Sequence, residues 1–565
     1  MMKKLLFVFI PLFAMALSLV SCSDKDAETG SGSGTGDKEM ADYTVIFWGM
    51  AGTMDGITAP DMATLASNYQ KGLIGKNVNI MGLLKTSLYG KETQDKTWYF
   101  DSEKIDKTTT EPSQEEEGGD EEVYDFAFKT LNGREYGDAL YPLNNVDSLA
   151  NFIKKAAEKF PAHHYVLMVY GHGGGFSPVL DVPSTRVCVI DDYTGKALAA
   201  DAIVDAVKES GVKMQTIFTQ CCLMAALENM AAYSQVFDYG ILSAETTTGG
   251  YFPEYLVKLT EAGDNVEKLK TKSRELVDYY VDVACEDFTD PDSCMSYTSH
   301  GFYDLTQMSQ LMPILKEAAT WYSSNYTDTQ RYAIDQALRA SVNCASLGQG
   351  TETPDFFEKR KELQDIIAAG YSSPDELPKE KLKEIYTSIY DLLKNNDVLG
   401  FGFCMSDVLR QTALAEDLSA EKRAEVQAIY DKYMAQLKKM AYIRTTVTPA
   451  NATDYEYIYA SPTINLFAMN ETNFVELLQG GKENIDNLIN AFEEKDYDKA
   501  EEICKEMFEG TPYAAEATLA EVTHNYTSSV FDKQVKWSEF LKLLDFNPSV
   551  IINPDRMQVT LNMNK

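Results

Sequence analysis

The sequence is poor in histidine. Its 565 residues contain five, His163, His164, His172, His300 and His524, so any imidazole chemistry must choose among them. It also lacks paired cysteines. Nine cysteines are scattered with no CxxC pair and no metal-type spacing to histidine, which excludes a zinc ribbon or finger. Basic residues are scarce: 51 Lys and Arg stand against 86 Asp and Glu, a formal charge of −35. Such a field repels nucleic acid and anionic lipid, so no nucleic-acid partner is expected, and it favours cationic partners. Beyond the N-terminal segment no apolar run reaches membrane-spanning length, and the body of the chain is expected to be soluble. No Gly-Lys-Ser/Thr follows the glycine-rich stretch, which argues against a phosphate loop.

What is present begins with Lys3 and Lys4, followed by an apolar run from Leu5 to Val20. That run is short for a membrane span and ends in small residues, as an export signal does. Leu19-Val20-Ser21-Cys22 resembles a bacterial lipobox, in which Cys22 becomes the acylated first residue. The alternative is an ordinary secretory signal with a chance cysteine. Lipidation at Cys22 implies an exported protein tethered to a bacterial membrane by its acyl chains, the outer membrane being the expected one, and the acidic start of the segment after Cys22 resembles a surface-export signal. Ser23 to Lys38 is Ser, Gly and charge without apolar residues, and reads as a flexible leash. The remaining roughly 525 residues exceed one compact domain. The expected division is a signal over 1–22, a linker over 23–40, a core over 41–260, a helical region over 261–450 and a mixed α/β region over 451–565.

Short β-rich runs at Tyr43–Trp48, Asn77–Leu84, Thr97–Phe100 and Tyr124–Lys129 predict strands, with an acidic solvated loop over Thr108–Glu122. From Asn145 the pattern alternates. A helix capped by Asp147 carries Leu149, Phe152, Ile153 and Ala156 at helical spacing. Tyr165–Tyr170 is a continuous apolar run, the mark of a strand covered on both faces. A helix at Ala199–Ser210, a strand at Met214–Thr219, a helix at Leu223–Tyr233 and a strand at Tyr239–Ser243 follow. Alternating strands and helices predict an α/β fold with a mostly parallel sheet and helices on both faces. After about residue 260 helical patterns dominate: Val266–Cys285, Thr329–Val342, Lys379–Asn395 and Ala420–Met440. Near the end, helices at 484–493 and 499–509 and a strand at Gln558–Asn562 are expected.

Two segments carry chemistry. Tyr170-Gly171-His172-Gly173-Gly174-Gly175-Phe176 follows a buried strand directly, which places His172 at the carboxyl end of that strand, where ligands gather in open α/β sheets. The glycines let backbone N–H groups approach a substrate and offer a donor to a developing oxyanion. The plain alternative is a glycine-rich turn with a bystander histidine. Phe218-Thr219-Gln220-Cys221-Cys222-Leu223-Met224 also follows a buried strand and is read as opening a helix, whose N-terminus favours a thiolate. A buried structural cysteine pair is the plain alternative. Together they are more specific: His172 precedes Cys222 by 50 residues, each at the end of its own strand, the order and spacing of caspase-type peptidases.

With those residues the chain resembles the clostripain family, caspase-like cysteine peptidases related to gingipains. YGHGGGF, FTQCCLMAALENM and ILSAETTTGGYFPEY carry the likeness over roughly residues 41–260. The family's cysteine box reads Asp-Ala-Cys-Leu-Met with a glutamate four residues beyond the Met. Cys222-Leu223-Met224 and Glu228 match it, which makes Cys222 rather than Cys221 the implied nucleophile. Ser243-Ala244-Glu245 and Gly249-Gly250 match the segment lining the primary specificity pocket, and Asp191-Asp192 also fits. The family's aspartate two residues before the cysteine pairs with a substrate Arg or Lys. Here Gln220 stands there, and a neutral amide lacks the charge-assisted pairing that selects a guanidinium. Glu245 is a candidate for the missing charge.

The resemblance implies a Cys222–His172 dyad, an acyl-enzyme intermediate, an oxyanion held by the N–H groups of Gly173 and Cys222, and a protein or peptide substrate. Family members are often made as zymogens cut in a loop after the histidine, and Arg186 is a candidate cleavage point beside the reading of an uncut surface arginine. No cofactor is required, although Glu286, Asp287, Asp290 and Asp292 form an acidic loop that could bind calcium through oxygen. Two other functions remain. A serine esterase needs a Gly-x-Ser-x-Gly elbow, which is absent. A catalytically inactive surface-anchored pseudopeptidase would bind protein or glycan without cutting, and Gln220-Cys221 is the feature that suggests it.

Overall fold

A nine-stranded mixed sheet, seen in the computed structural model of the chain, runs through the centre of the molecule. The structure describes 40–344 and 402–445 apart from 53, 87–95, 113–119, 137–141, 177–188, 192–195, 246, 248–250, 285–298, 328–329, 340 and 342; beyond these it describes 454–466, single positions between 487 and 499, 526–543, 549–553 and 558–562. Elements in chain order up to the sixth helix are β1 (Ala41–Gly52), α1 (Asp55–Lys71), β2 (Val78–Thr86), β3 (Lys96–Asp101), α2 (Asp120–Thr130), β4 (Arg134–Glu135), α3 (Val146–Lys159), β5 (Ala162–Gly171), β6 (Val189–Asp191), β7 (Lys196–Leu198), α4 (Ala200–Ser210), β8 (Thr216–Gln220), α5 (Leu227–Tyr233), β9 (Tyr239–Leu242) and α6 (Phe252–Ala262). Then come α7 (Val266–Ala284), β10 (Ser299–Asp304), α8 (Met308–Asn325), α9 (Arg331–Arg339), β11 (Asn343–Cys344), β12 (Gly402–Cys404), α10 (Met405–Leu414), α11 (Ala420–Met440), β13 (Ala441–Thr445), α12 (Tyr455–Tyr459), β14 (Thr463–Asn465), α13 (Val530–Val535), α14 (Trp537–Leu541), β15 (Ser549–Asn553) and β16 (Gln558–Asn562).

Five strands run parallel in the order β9-β8-β5-β1-β2. Antiparallel strands close both sides: β10 and β13 beyond β9, β3 and β4 beyond β2. The chain moves outward from β1 to β2 and then returns to the other flank of β1 with β5, so the order reverses there. Crevices at the carboxyl ends of strands near such a reversal are where α/β proteins place ligands. The apolar run of β5 is explained by cover on both faces, with Val166, Met168 and Tyr170 in one core and Leu167 and Val169 in the other. Helices α1, α6 and α7 contribute to the first core, and α3, α4, α5 and α8 to the second.

Three expectations change in detail. Tyr124–Lys129 is not a strand but lies in α2, where Tyr124, Ala127 and Phe128, with Leu131 just past its end, form a buried stripe. The same residues also alternate in the sequence, so period alone did not decide. The cap of α3 is Asn145, whose side chain accepts from Ser148 N–H at 2.9 Å, rather than Asp147. The division at 260 is not a division of the sheet: β10 and β13 belong to it, and Phe403, Met405, Val408, Tyr433, Trp537 and Phe540 fill the second core with α3 to α5. The helices expected at 379–395, 484–493 and 499–509 lie in segments outside the described residues or described at single positions. Among the described residues no helix is long and apolar enough to cross a membrane.

Candidate active site

Tyr170 of β5 lies opposite Gln220 of β8 in a parallel register. His172 and Cys222 are each two residues further on, past the ends of neighbouring strands. Parallel neighbours stand about 4.8 Å apart, so the register alone brings the two loops together. Gly173 seals the contact. A Cβ placed there would come within 2.6 Å of Cys222 N, closer still to Cys222 O, and within 2.8 Å of the Cys221 Cβ. Any side chain at 173 would push the histidine loop off the cysteine loop. Gly175 has φ +70°, a conformation that residues with a Cβ rarely adopt.

The cysteine loop departs from the helix-opening expected of it. Helix α5 starts at Leu227, five residues beyond Cys222, so no helix N-terminus faces the thiol. Leu223 takes φ +65°, and the chain then runs beside 243–245, with Leu223 N–H donating to Glu245 O at 2.9 Å and Ala225 N–H to Ser243 O at 2.7 Å. Those two bonds hold 223–225 beside 243–245, with Leu223 left-handed, so the helix opens only at Leu227. Cys222 is half-buried, and Thr247 N–H donates to its Sγ at 3.3 Å, with the Thr247 hydroxyl at 3.8 Å. Burial pushes the thiol pKa up; the Thr247 contacts pull it down, and the Glu245 charge adds to the rise. Burial thus disfavours the thiolate, and a cation beside the sulfur would favour it.

Cys221 is fully buried and turned the other way, its Sγ 3.5 Å from Val169 O. It packs in the second core, which separates it from Cys222. Of the remaining histidines, His164 sits near the start of β5 and pairs with Asp264 at 2.7 Å. His300 is buried and stacked on Tyr280 at 4.2 Å, and burial lowers its pKa to about 4. His163 is exposed near the start of β5, and His524 lies outside the described residues.

The residues expected to bind substrate are all buried. Gln220 donates through Nε2 to Asp61 Oδ2 at 3.3 Å, and Asp61, itself buried in α1, raises the pKa of the neighbouring Tyr170 hydroxyl after burial. Thr58 donates to that same hydroxyl at 3.0 Å. Because a carboxylate only accepts, Asp61 fixes the Gln220 amide with its nitrogen toward α1. Ser243 Oγ donates to Ser299 O at 2.5 Å and receives the Glu245 N–H at 3.2 Å; Ala244 lies in the second core. Glu245 is tied to the cysteine loop through its main chain, its O accepting the Leu223 N–H.

A match to the clostripain family model covers residues 137–543, most of the chain, and includes both the histidine and the cysteine loops but not Thr58 and Asp61 of α1. The chain belongs to the clostripain family. It is thereby a cysteine-type peptidase. Similar solved structures include a secreted C11 cysteine protease from Bacteroides thetaiotaomicron called iotapain, at 12% identity and TM-score 0.44, covering 75% of this chain and 94% of that one. An inactive zymogen C11 protease from Parabacteroides distasonis follows at 14% identity and TM-score 0.42, covering 79% and 98%. A third is a secreted C11 cysteine protease from Bacteroides thetaiotaomicron in complex with an irreversible peptide inhibitor, at 11% identity and TM-score 0.42, covering 75% and 92%. No curated protein sequence matches the chain.

Sequence reasoning missed Thr247, Asp61 and the surroundings of Glu228. Thr247 lies in a run of three threonines with no distinguishing mark, and Asp61 is one of many acidic residues. Cys22, Arg186, Asp192, Gly249, Gly250, and the acidic loop of Glu286, Asp287, Asp290 and Asp292 lie outside the described residues. Asp191 ends β6. Among the described residues no group of three or more His, Cys, Asp or Glu side chains could hold a metal ion.

Proposed function

We propose that the chain is a cysteine endopeptidase in which Cys222 and His172 act as a dyad on protein or peptide substrates. The observation that carries this reading is the close packing of Gly173 on the Cys222 backbone, which joins the two loops at one strand edge. His172 takes the thiol proton and becomes the cation that the sulfur requires. Cys222 Sγ then attacks the peptide carbonyl, forming a C–S bond as the C–N bond breaks, and the imidazolium gives its proton to the leaving amine. Water, deprotonated by His172, hydrolyses the thioester and frees the acid. Gly173 and Cys222 lie past the last paired residues of β5 and β8, and the proposal assigns their N–H groups to the oxyanion. None of these steps calls on a cofactor.

The same proposal takes the chain as exported and tethered through acylated Cys22, at the outer membrane and facing outward, with Arg186 as a processing point. Gln220 turns its amide nitrogen toward Asp61, so the pocket offers a neutral oxygen where the family offers a carboxylate, and a weaker preference for Arg before the cut follows. Cleavage of a peptide library by the protein from Asp37 onward tests the reaction. Wild type should cut and Cys222→Ala should not, at equal thermal stability. Equal cutting by both would refute it.

One feature favours the non-enzymatic alternative, a pseudopeptidase that binds protein or glycan: burial pushes the Cys222 thiol pKa up against the pull of Thr247, with the Glu245 charge adding to the rise. Wild-type protein that binds peptides yet cuts none of the library would establish it.

A further inference from the structure

Beyond the sheet edge, Glu228 of α5 is fully buried and sits between the site and the far end of the chain. Its Oε1 accepts Asn465 N–H at 3.0 Å and the Tyr526 hydroxyl at 2.9 Å. Trp537 Nε1 donates to Asn465 O at 2.9 Å, so the main chain of Asn465 is held on both sides. Its side chain reaches in the opposite direction: Nδ2 donates to Phe176 O at 3.1 Å. Phe176 ends the His172-Gly-Gly-Gly segment, and the Tyr526 ring meets its ring edge-on at 5.6 Å and 86°.

Glu228 Oε2 and Asn465 Oδ1 have no hydrogen-bond partner among the described residues. Both residues line one small void, with Gly174, Gly175, Phe176 and Thr463 around it. The void measures about 10 Å³, about what one water requires. Two buried acceptors on residues that line one void call for a donor there. Burial raises the Glu228 pKa to about 7, with the nearby Asp532 adding to the rise against the pull of Asn465 N–H and the Tyr526 hydroxyl. Since Oε1 already accepts twice, the acid proton belongs on Oε2, where it supplies that donor directly or through one water. An Asn465 Oδ1 satisfied in this way leaves Nδ2 directed at Phe176.

We propose that Glu228, acting through Asn465, is a positioning residue that tethers the Phe176 end of the His172 loop, making the C-terminal segment part of the frame of the active site. The tether is a structural claim. Its effect on turnover rests on the peptidase reading above.

Two measurements on the protein from Asp37 onward test it. Asn465→Ala keeps the main-chain link to Glu228 and removes the amide that reaches the loop. The expected result is a kcat about tenfold lower with KM within about twofold, because the loop places catalytic groups rather than substrate. Hydrogen exchange of the Gly173–Phe176 amides should quicken about tenfold or more, whether or not the protein cuts peptides. Glu228→Ala should act in the same direction, and Glu228→Gln, which keeps an acceptor on one side and a donor on the other, should recover most of the loss. Asn465→Ala with wild-type kcat and wild-type exchange overturns the tether, and so does a raised KM at unchanged kcat. A wild-type protein without cleavage sinks the peptidase reading alone, and the exchange arm still decides the tether.

Discussion

On one side of the sheet the end of β8 leans on Asp61 of α1, an element from the first part of the chain. On the other side α5 leans on Asn465 and Tyr526, 237 and 298 residues further on. The first side orients the Gln220 amide and groups it with Asp61, Thr58 and Tyr170. The second supports the histidine loop from behind and is centred on one buried carboxyl. The end of β8 is thus held by near sequence, while the end of the glycine-rich loop is held by the chain's far end.

The largest contrast between the sides is in stability against pH. Glu228 has its folded pKa raised to about 7 from an ordinary 4.5, so the folded state holds its proton more tightly than the unfolded one. Stability from this group is full below the ordinary value and falls as pH rises toward 7, by on the order of 3 kcal/mol. Glu228→Gln removes that loss. Thermal melts should show the variant gaining on wild type between pH 5 and pH 8, and parallel curves would remove the buried acid from the comparison.

Gly173→Ala strikes where both sides meet. The added methyl collides with Cys222 backbone, which cannot move cheaply. Cleavage efficiency should fall about 100-fold, as expected for a displacement near 1 Å. Undiminished cleavage by the Gly173→Ala variant would mean that the loops need not touch. Gln220→Asp sharpens the first side. It sets a second carboxylate beside Asp61, so one of the two keeps a proton while the other faces a substrate cation. Cleavage after Lys or Arg relative to neutral residues should rise about tenfold in a peptide profile. An unchanged profile would show that residue 220 does not meet the side chain before the cut. Thr247→Val is the smallest change: it keeps the N–H but removes a hydroxyl that lowers the Cys222 pKa. The pH midpoint of thiol alkylation should move up by about half a unit, and a downward move would contradict the role given to Thr247.

The contrast between the sides also explains what could be read beforehand. Continuous apolar strands ending in Gly-His-Gly and Gln-Cys-Cys announce the sheet and its edge, because burial on two faces and a sharp exit leave a local trace. The turn between Cys222 and α5 left none. Leu223 looks like any helix former, and its left-handed backbone is imposed by bonds to 243–245. The strands β10 and β13 were hidden among helical patterns, since Ser299–Asp304 and Ala441–Thr445 are short and flank longer apolar helices. Glu228 stood out by resemblance alone. Its partners Asn465 and Tyr526 carry no mark in the sequence, because a contact across 237 residues has no local period.

The dyad is tested most directly by mass spectrometry after labelling with a peptidyl acyloxymethyl ketone. The account predicts a single adduct on Cys222, none on Cys221, and labelling slowed about 100-fold in His172→Ala. An adduct on Cys221, or unchanged labelling without the imidazole, would contradict it.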